Sequence, residues 1–489
     1  MNIEQIDRHN GNWWSEINFS QLERNVRRLQ GRIYSASKKG DKKRVKNLMK
    51  LLARSWSARI LAIYTITQKN KGRLTPGIDG KIYLTSKDRM ELSKDKFDYR
   101  TYKYQPVLRR YIPKEQEAWR MALRRRKKKH RAQVGLEKRP LGLMTIKDRI
   151  MTTIISYALT AKWEALLDSG VMGFRPGRST QDAIQLICIG LSKGNKVILD
   201  ADINKFFDNI KHKVILDELR LFHKTIKRCL RTGLIENGKK LKTLKGITQG
   251  SPLSPILANI ALHGLQQKLG KEALAVIYAD DLIIMTKTKD AMKSIIPRIA
   301  KFLKSRGISL KRKKTKITYR RQGFNFLGFT IEQPGRKIYV KPQKERVNKF
   351  LDHLRFIVWS NKQETQENLI LLLNPIIRGW TVYYRFTNAY KSFNRVDHTL
   401  WDLIWRWCKR RHKNRKGKRW IFDRYYMKTK ERKWVFRVPE TGYKLMNATD
   451  TKRLKYKSIV GNKSPLDPDP KVKAYWKRRK YEEIKCMMM

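Results

Sequence analysis

Tyr278-Ala279-Asp280-Asp281 sets two adjacent carboxylates between two short apolar runs, Leu274-Ala275-Val276-Ile277 and Leu282-Ile283-Ile284-Met285. Adjacent aspartates can shape a turn, which Asp favours for conformational reasons. They can also hold a divalent cation through hard oxygen ligands. A carboxylate further upstream favours the second use. It lies in Ile198-Leu199-Asp200-Ala201-Asp202-Ile203-Asn204-Lys205-Phe206-Phe207-Asp208. Nucleotidyl transfer requires cations that activate an attacking hydroxyl and steady a leaving pyrophosphate, bridged by carboxylates from separate strands. Asp202, Asp280 and Asp281 meet that requirement. Asp200 alternates with Asp202 and can face the same side of a strand. Asp202 is preferred because Phe207 follows it by five residues. Asp208 braces the turn or starts the next helix.

The elements that must present these groups follow from hydrophobic pattern. Both runs around the Asp pair are short and rich in β-formers, so each reads as a buried strand with the pair at a tight hairpin turn. Val197 to Ile203 reads as a further strand with Asp202 near its end. Helices are expected elsewhere. Leu22, Val26, Leu29 and Ile33 repeat at helical spacing, and Val45, Leu48, Leu51 and Leu52 continue in that style. Ile376, Ile377, Trp380, Tyr383 and Tyr384 form one more apolar face, and basic residues crowd the outer faces.

Asp202 to Phe207 and Tyr278 to Asp281 resemble the two catalytic blocks of reverse transcriptases. The order of further blocks resembles group II intron-encoded proteins. Thr75-Pro76-Gly77-Ile78-Asp79-Gly80 is similar to their N-terminal TxGxDG element. Tyr111-Ile112-Pro113-Lys114, Arg139-Pro140-Leu141-Gly142 and Thr145-Ile146-Lys147-Asp148-Arg149 resemble fingers blocks. Gly173-Phe174-Arg175-Pro176-Gly177-Arg178-Ser179 resembles YGFRPGRS, and Gly246 to Pro255 resembles GTPQGGxxSP. The Lys314-Thr315 pair and Phe326-Leu327-Gly328 match the next two blocks. The resemblance spans roughly residues 15 to 480.

It implies an α+β right-hand polymerase fold of fingers and palm, with a helical N-terminal extension and an α-helical thumb, or maturase X, domain. The expected divisions are 1–80 for the extension and start of the fingers, 81–190 for the fingers, and 191–335 for the palm. Residues 336–430 are expected as thumb and X domain, and 431–489 as a basic DNA-binding-like region. The resemblance further implies that Asp202, Asp280 and Asp281 hold two Mg2+ ions and that dNTPs are the substrates. Phe207 lies under the incoming sugar, where a bulky ring excludes a 2′-hydroxyl. Gln249, Gly250 and Tyr278 line the nucleotide pocket, Arg139 grips the triphosphate with help from Lys114, and Lys314 donates a proton to pyrophosphate. Thr248 replaces the usual Pro, and Lys313 stands where Glu is frequent. Glu115 to Lys138 departs from the short turn of relatives and carries Arg124-Arg125-Arg126-Lys127, an RNA-contact candidate. Arg406, Lys409, Arg410 and Arg411, beside Trp405, Trp407 and Trp420, form another; interleaved aromatics and cations suit bases and phosphates.

Composition agrees with a polyanionic partner. The 489 residues include 112 Lys and Arg against 42 Asp and Glu, a net charge of +70 spread along the whole length. Such a chain repels itself unless nucleic acid neutralises it. Host intron RNA, an RNA template and a DNA target are the expected partners, and no membrane is. Four widely spaced cysteines without a CxxC pair indicate neither zinc nor a disulfide framework. No apolar run approaches the roughly 20 residues of a membrane span. The expected location is bacterial cytoplasm, or an organelle. Ser464-Pro465-Leu466-Asp467-Pro468-Asp469-Pro470 reads as a linker, and Lys471 to Lys485 as one basic helix. Longer relatives continue into an HNH-type endonuclease with paired cysteines and histidines; this chain is expected to lack it. The reading is an RNA-directed DNA polymerase and maturase that copies its intron during retrohoming. The alternatives are a free-standing reverse transcriptase of a defence system and a splicing-only maturase.

Overall fold

A computed structural model of the chain describes residues 13–113, 138–412, 417–429, 432 and 434–488. It falls into two compact units. One comprises Met1–Ile112, Arg139–Thr318 and Ser458–Met489, and the other Pro113–Lys138 and Tyr319–Lys457.

The first unit opens with helices Phe19–Lys38, Lys42–Arg54 and Trp56–Tyr64, packed on the long helix Ile146–Glu164. Side chains of Asn18, Asp41 and Ser55 cap the three N-termini by accepting backbone N–H bonds, which satisfies donors that a helix leaves open. Leu22, Val26 and Ile33 enter the core as their spacing requires. Leu51 does not: it is 51% exposed, while Leu48 and Leu52 are buried. At about 100° per residue, position 51 turns away from the stripe set by 45, 48, 49 and 52.

Its strands are β1 (Val107–Pro113), β2 (Lys138–Leu143), β3 (Val197–Asp202), β4 (Leu234–Glu236), β5 (Lys239–Leu241), β6 (Ala273–Tyr278), β7 (Asp281–Thr286) and β8 (Lys316–Tyr319). They form two four-stranded sheets, ordered β2-β1-β4-β5 and β6-β7-β3-β8. In the second sheet β7 is central. It pairs antiparallel with β6 through a two-residue turn and antiparallel with β3. Ile198, Val276, Ile283, Ile284 and Met285 are fully buried, which explains the unbroken apolar runs of these strands.

The second unit holds β9 (Phe324–Phe326), β10 (Phe329–Glu332) and β11 (Tyr339–Pro342) in one antiparallel sheet. The expected palm boundary at 335 therefore falls inside the β10–β11 connection, and the division between units comes earlier, after Thr318. Helices Lys344–Ser360, Gln366–Tyr384 and Tyr390–Arg411 follow. Phe350 stacks on Trp380 at 4.4 Å, and buried Trp407 donates its indole N–H to the Asn361 carbonyl at 3.0 Å. Trp380 and Trp407 are thus packing residues, whereas Trp401, Trp420 and Trp434 remain exposed.

The 464–470 stretch is not a free linker. Ser464 and Asp467 are buried, and Asp467 pairs with Lys38 at 3.3 Å. A Cβ on Gly31 would lie 3.3 Å from the Leu466 carbonyl, a contact a larger residue could make only by pushing this backbone back. Composition signalled a linker because the segment satisfies its own polar groups: Leu466 N–H donates to Ser464 Oγ, and Asp469 N–H donates to Asp467 Oδ1. The helix beyond it runs Pro470–Met488. Among the described residues no helix is long and apolar enough to cross a membrane.

Candidate active site

The carboxylates meet because of strand register. Asp202 ends β3 and lies directly across from Asp281, which begins β7 and also faces Tyr278 across the hairpin. Asp280 occupies the turn with Ala279, whose φ is 59°. Two-residue hairpin turns call for a left-handed residue, normally Gly or Asn. An alanine there is strained backbone, which concentrates at functional sites. Ile203 N–H donates to the Asp280 carbonyl at 3.0 Å and ties the end of β3 to the turn.

Electrostatics at this corner are crowded. Burial first, then Asp280 and Asp202, push Asp281 up to about 6. Burial and the Asp202 charge raise Asp280, while Lys314 and Arg139 pull it back. Asp200 also reaches about 6, through burial and then Asp202, with Lys316 opposing. Strand alternation along β3 puts Asp200 on the same side as Asp202. Lys314 sits in the turn Arg312–Lys314 beside β3 and forms an ion pair with Asp202, which holds the ammonium above its ordinary value. Hydrogen bonds from Lys311 N–H to the Asp202 carbonyl and from Asn204 N–H to the Ser309 carbonyl, both 2.8 Å, fix that strip against β3.

Among the described residues no three His, Cys, Asp or Glu side chains already converge as a metal-ligand set. Asp202 is turned onto Lys314, a monovalent cation that answers part of the repulsion. In donor chemistry the corner fits a hard divalent ion. Two carboxylates stand at the ends of paired strands and a third sits in the adjoining hairpin turn, and their mutual repulsion is what a cation relieves.

Around them, Phe207 is the second residue of a short helix, Phe206–Asn209, entered through Lys205 at φ 42°. Phe206 is buried and takes the core position, whereas Phe207 is only half-buried. Ile247 N–H donates to the Phe207 carbonyl at 2.7 Å, bringing the 246–250 loop beside this helix. Gly142 N–H donates to the Gln249 carbonyl at 2.7 Å, so Gln249 and Gly250 join β2, the strand that carries exposed Arg139. A Cβ on Gly142 would fall 2.3 Å from Thr248 Cγ2. Thr248, in place of Pro, thus packs on a strand that leaves room only for hydrogen. Tyr278 ends β6, half-buried. Lys114 and the Arg124, Arg125, Arg126, Lys127 run lie outside the described residues.

In the second unit Arg406 and Arg410 are exposed on their helix, and Lys409 is half-exposed. Arg411 is engaged locally: its guanidinium donates to the Glu364 carbonyl at 2.6 Å and lies 4.7 Å from the Trp407 ring centre.

Two residues near the corner carry no sequence assignment. Phe174 packs T-shaped on Phe207 with centroids 6.2 Å apart. Asn259 is buried and donates its side-chain amide to the Gly173 carbonyl at 3.0 Å. The signal for Asn259 was a lone amide in the apolar helix Ser254–Leu262; a buried polar group in such a helix must find a partner.

Three families match the sequence: "N-terminal domain of reverse transcriptase" over residues 14–95, "Reverse transcriptase (RNA-dependent DNA polymerase)" over 126–331, and "Group II intron, maturase-specific domain" over 347–426. Among curated proteins the chain is similar to protein YkfC of Escherichia coli, 27% identical over 65% of this chain and 92% of that protein. It is also similar to maturase-like protein 1 of Euglena gracilis, 26% identical over 75% of this chain and 77% of the other. The group II intron-encoded protein LtrA of Lactococcus lactis is 31% identical over 42% of this chain and 32% of LtrA.

Proposed function

Because the chain is a reverse transcriptase that carries a group II intron maturase-specific domain, we propose that it binds its host intron RNA, promotes splicing, and copies the intron into DNA at a target during retrohoming. The carrying observation is the register that sets Asp202 opposite Asp281 beside the Asp280 turn.

On this reading Asp202, Asp280 and Asp281 hold two Mg2+ ions. Bound magnesium would supply charge neutralisation at the triphosphate and a more acidic 3′-hydroxyl. The remaining work falls to side chains. Lys314, on the edge of the corner, keeps a proton that it can give to departing pyrophosphate. Arg139 carries positive charge toward the triphosphate. Phe207 faces the ribose, and Gln249, Gly250 and Tyr278 border the nucleotide pocket. Exposed Arg406 and Arg410, with Lys409, meet RNA phosphates. The crowded, partly desolvated carboxylates support this role, since perturbed groups cluster where chemistry is done.

The test is primer extension on an RNA template with dNTPs and magnesium, with RNA affinity measured beside it. Asp280→Asn should abolish synthesis and leave RNA binding nearly intact. Wild-type polymerisation by that variant would overturn the metal assignment. The intron reading is separated from a defence reverse transcriptase by adding the protein to RNA transcribed from the DNA flanking its gene. Protein-dependent splicing supports the maturase role, and its absence with intact polymerisation favours the defence reading.

A further inference from the structure

The 173–179 loop touches the catalytic hairpin at one end and the last segment of the chain at the other. At the hairpin end, Met172 N–H and Gly173 N–H donate to the Ile277 carbonyl at 2.8 and 3.3 Å. A Cβ on Gly173 would lie 2.6 Å from the Ala279 nitrogen, so the two backbones are in contact. Phe174 follows at φ 61° with its ring 45% exposed. Burial does not hold an exposed ring in a left-handed conformation that non-Gly residues rarely adopt; the flanking backbone does.

Arg175 is the next anchor and is buried. Its guanidinium donates to the Glu164 carboxylate at 2.8 and 3.0 Å, and to the carbonyls of Asp168 and Val171 at 2.7 and 3.1 Å. The C-terminal segment closes over this network. Asn462 Oδ1 accepts from Arg178 at 2.8 Å and from Arg175 at 3.3 Å. The Trp476 ring lies where a Cβ on Gly177 would come within 2.9 Å. Arg479 donates to Asp182 at 2.7 Å with both side chains nearly enclosed, and Asp182 forms the capping box with Ser179 at the end of the loop.

We propose that residues 458–480 are a brace that positions Phe207 through Phe174, and so set the selectivity for the sugar. This rests on the reading of Phe207 as the ring that faces the ribose. Phe207 belongs to a helix of four residues, too short to fix a side chain by its own packing. Among the described residues, its two aromatic contacts are Phe206, which is core, and Phe174, which belongs to the loop that the brace grips at Arg175, Gly177 and Arg178. Phe174 and Trp476 are positioning residues: they act on the nucleotide through Phe207.

The experiment uses the full chain and measures kcat and KM for a matched dNTP and rNTP on one primed RNA template. Thermal unfolding is followed in parallel. Phe174→Ala should lower the dNTP-to-rNTP ratio of kcat/KM by about threefold or more, chiefly by improving rNTP KM. Trp476→Ala should shift the ratio in the same direction, and Phe174→Tyr and Trp476→Phe should restore it. Phe207→Val is the control for the underlying reading. If it loses discrimination while Phe174→Ala keeps the wild-type ratio, the brace is refuted and the sugar gate stands. If Phe207→Val also keeps the ratio, both fall. A Trp476→Ala protein that loses stability and slows both nucleotides equally, beside an unchanged Phe174→Ala ratio, reduces the segment to a structural role and overturns the proposal. Phe174 is exposed, so its variant carries the test even where Trp476→Ala does not fold.

Discussion

Phe206 and Phe207 are neighbours with opposite environments, and replacing each with valine separates a gate from a core residue. Phe206 is 3% exposed. Emptying that site costs about 2–4 kcal/mol through lost burial and the cavity left behind. Phe207 is half-buried and makes aromatic contacts with Phe206 at 5.5 Å and Phe174 at 6.2 Å. Losing two such pairs, each worth about 0.5–1.5 kcal/mol, lowers stability by about 1–3 kcal/mol. A domain of this size tolerates that. The space released by the missing ring exceeds one hydroxyl, so an rNTP should fit. A tenfold or greater loss of discrimination, about 1.4 kcal/mol in differential transition-state binding, is the expected minimum. The assay is steady-state incorporation of matched dNTP and rNTP, with a thermal melt of each variant. Phe206→Val should lose stability and activity together and keep its ratio. A stable, active Phe207→Val protein with unchanged sugar discrimination refutes the gate. It would also weaken the choice of Asp202 over Asp200, since that choice rested on the spacing to Phe207.

Three further outcomes follow from contacts already described. Gly173→Ala drives a Cβ into the Ala279 and Tyr278 backbone, which cannot yield as a side chain would; stability should fall by about 1–3 kcal/mol, with primer extension lost out of proportion, and a normal melt with a normal rate would contradict the contact. Arg175→Ala leaves the Glu164 carboxylate buried, with Arg178 at 3.9 Å as its remaining cation; a loss of about 3 kcal/mol is expected by denaturant unfolding, and a neutral result would show that Arg178 suffices. Binding of intron RNA should weaken steeply with salt, with a slope of log K against log salt steeper than roughly −5 given about −0.7 to −0.9 per neutralised phosphate; a slope near zero would disconnect the +70 charge from RNA contact.

The carboxylate corner was legible because strand signals are local. β6, β7 and β3 are short apolar runs bounded by polar residues, and their carboxylates fall at strand ends where pairing must bring them together. The return of residues 458–488 to the first unit was not legible from composition. That contact uses glycines at positions 31 and 177, where the backbone of Leu466 and the ring of Trp476 come close from far along the chain. Sequence shows the glycine but not its visitor. Arg411 shows a second kind of contact that sequence does not reveal. It is an exposed cation that also bonds the Glu364 carbonyl and lies over Trp407, because an arginine at a helix end finds carbonyl acceptors and aromatic faces within its own unit.

Charge is distributed in a way that separates binding from chemistry. The chain as a whole is strongly positive, so nucleic acid is drawn to it from every direction. The corner formed by Asp200, Asp202, Asp280 and Asp281 runs against that field, and the charges that answer it are few: Lys314 paired with Asp202, Lys316 acting on Asp200, and Arg139 acting on Asp280. A phosphate brought there meets carboxylates and is repelled unless a divalent cation stands between them. On the proposed reading, affinity comes from the many cations of the surface, and turnover from the few anions of the hairpin. Neutralising one carboxylate removes a cation ligand but adds no repulsion toward RNA. It follows that loss of synthesis with retained RNA binding in Asp280→Asn is the signature of this arrangement, and that loss of both together would mean the hairpin aspartates hold the fold instead of the metal.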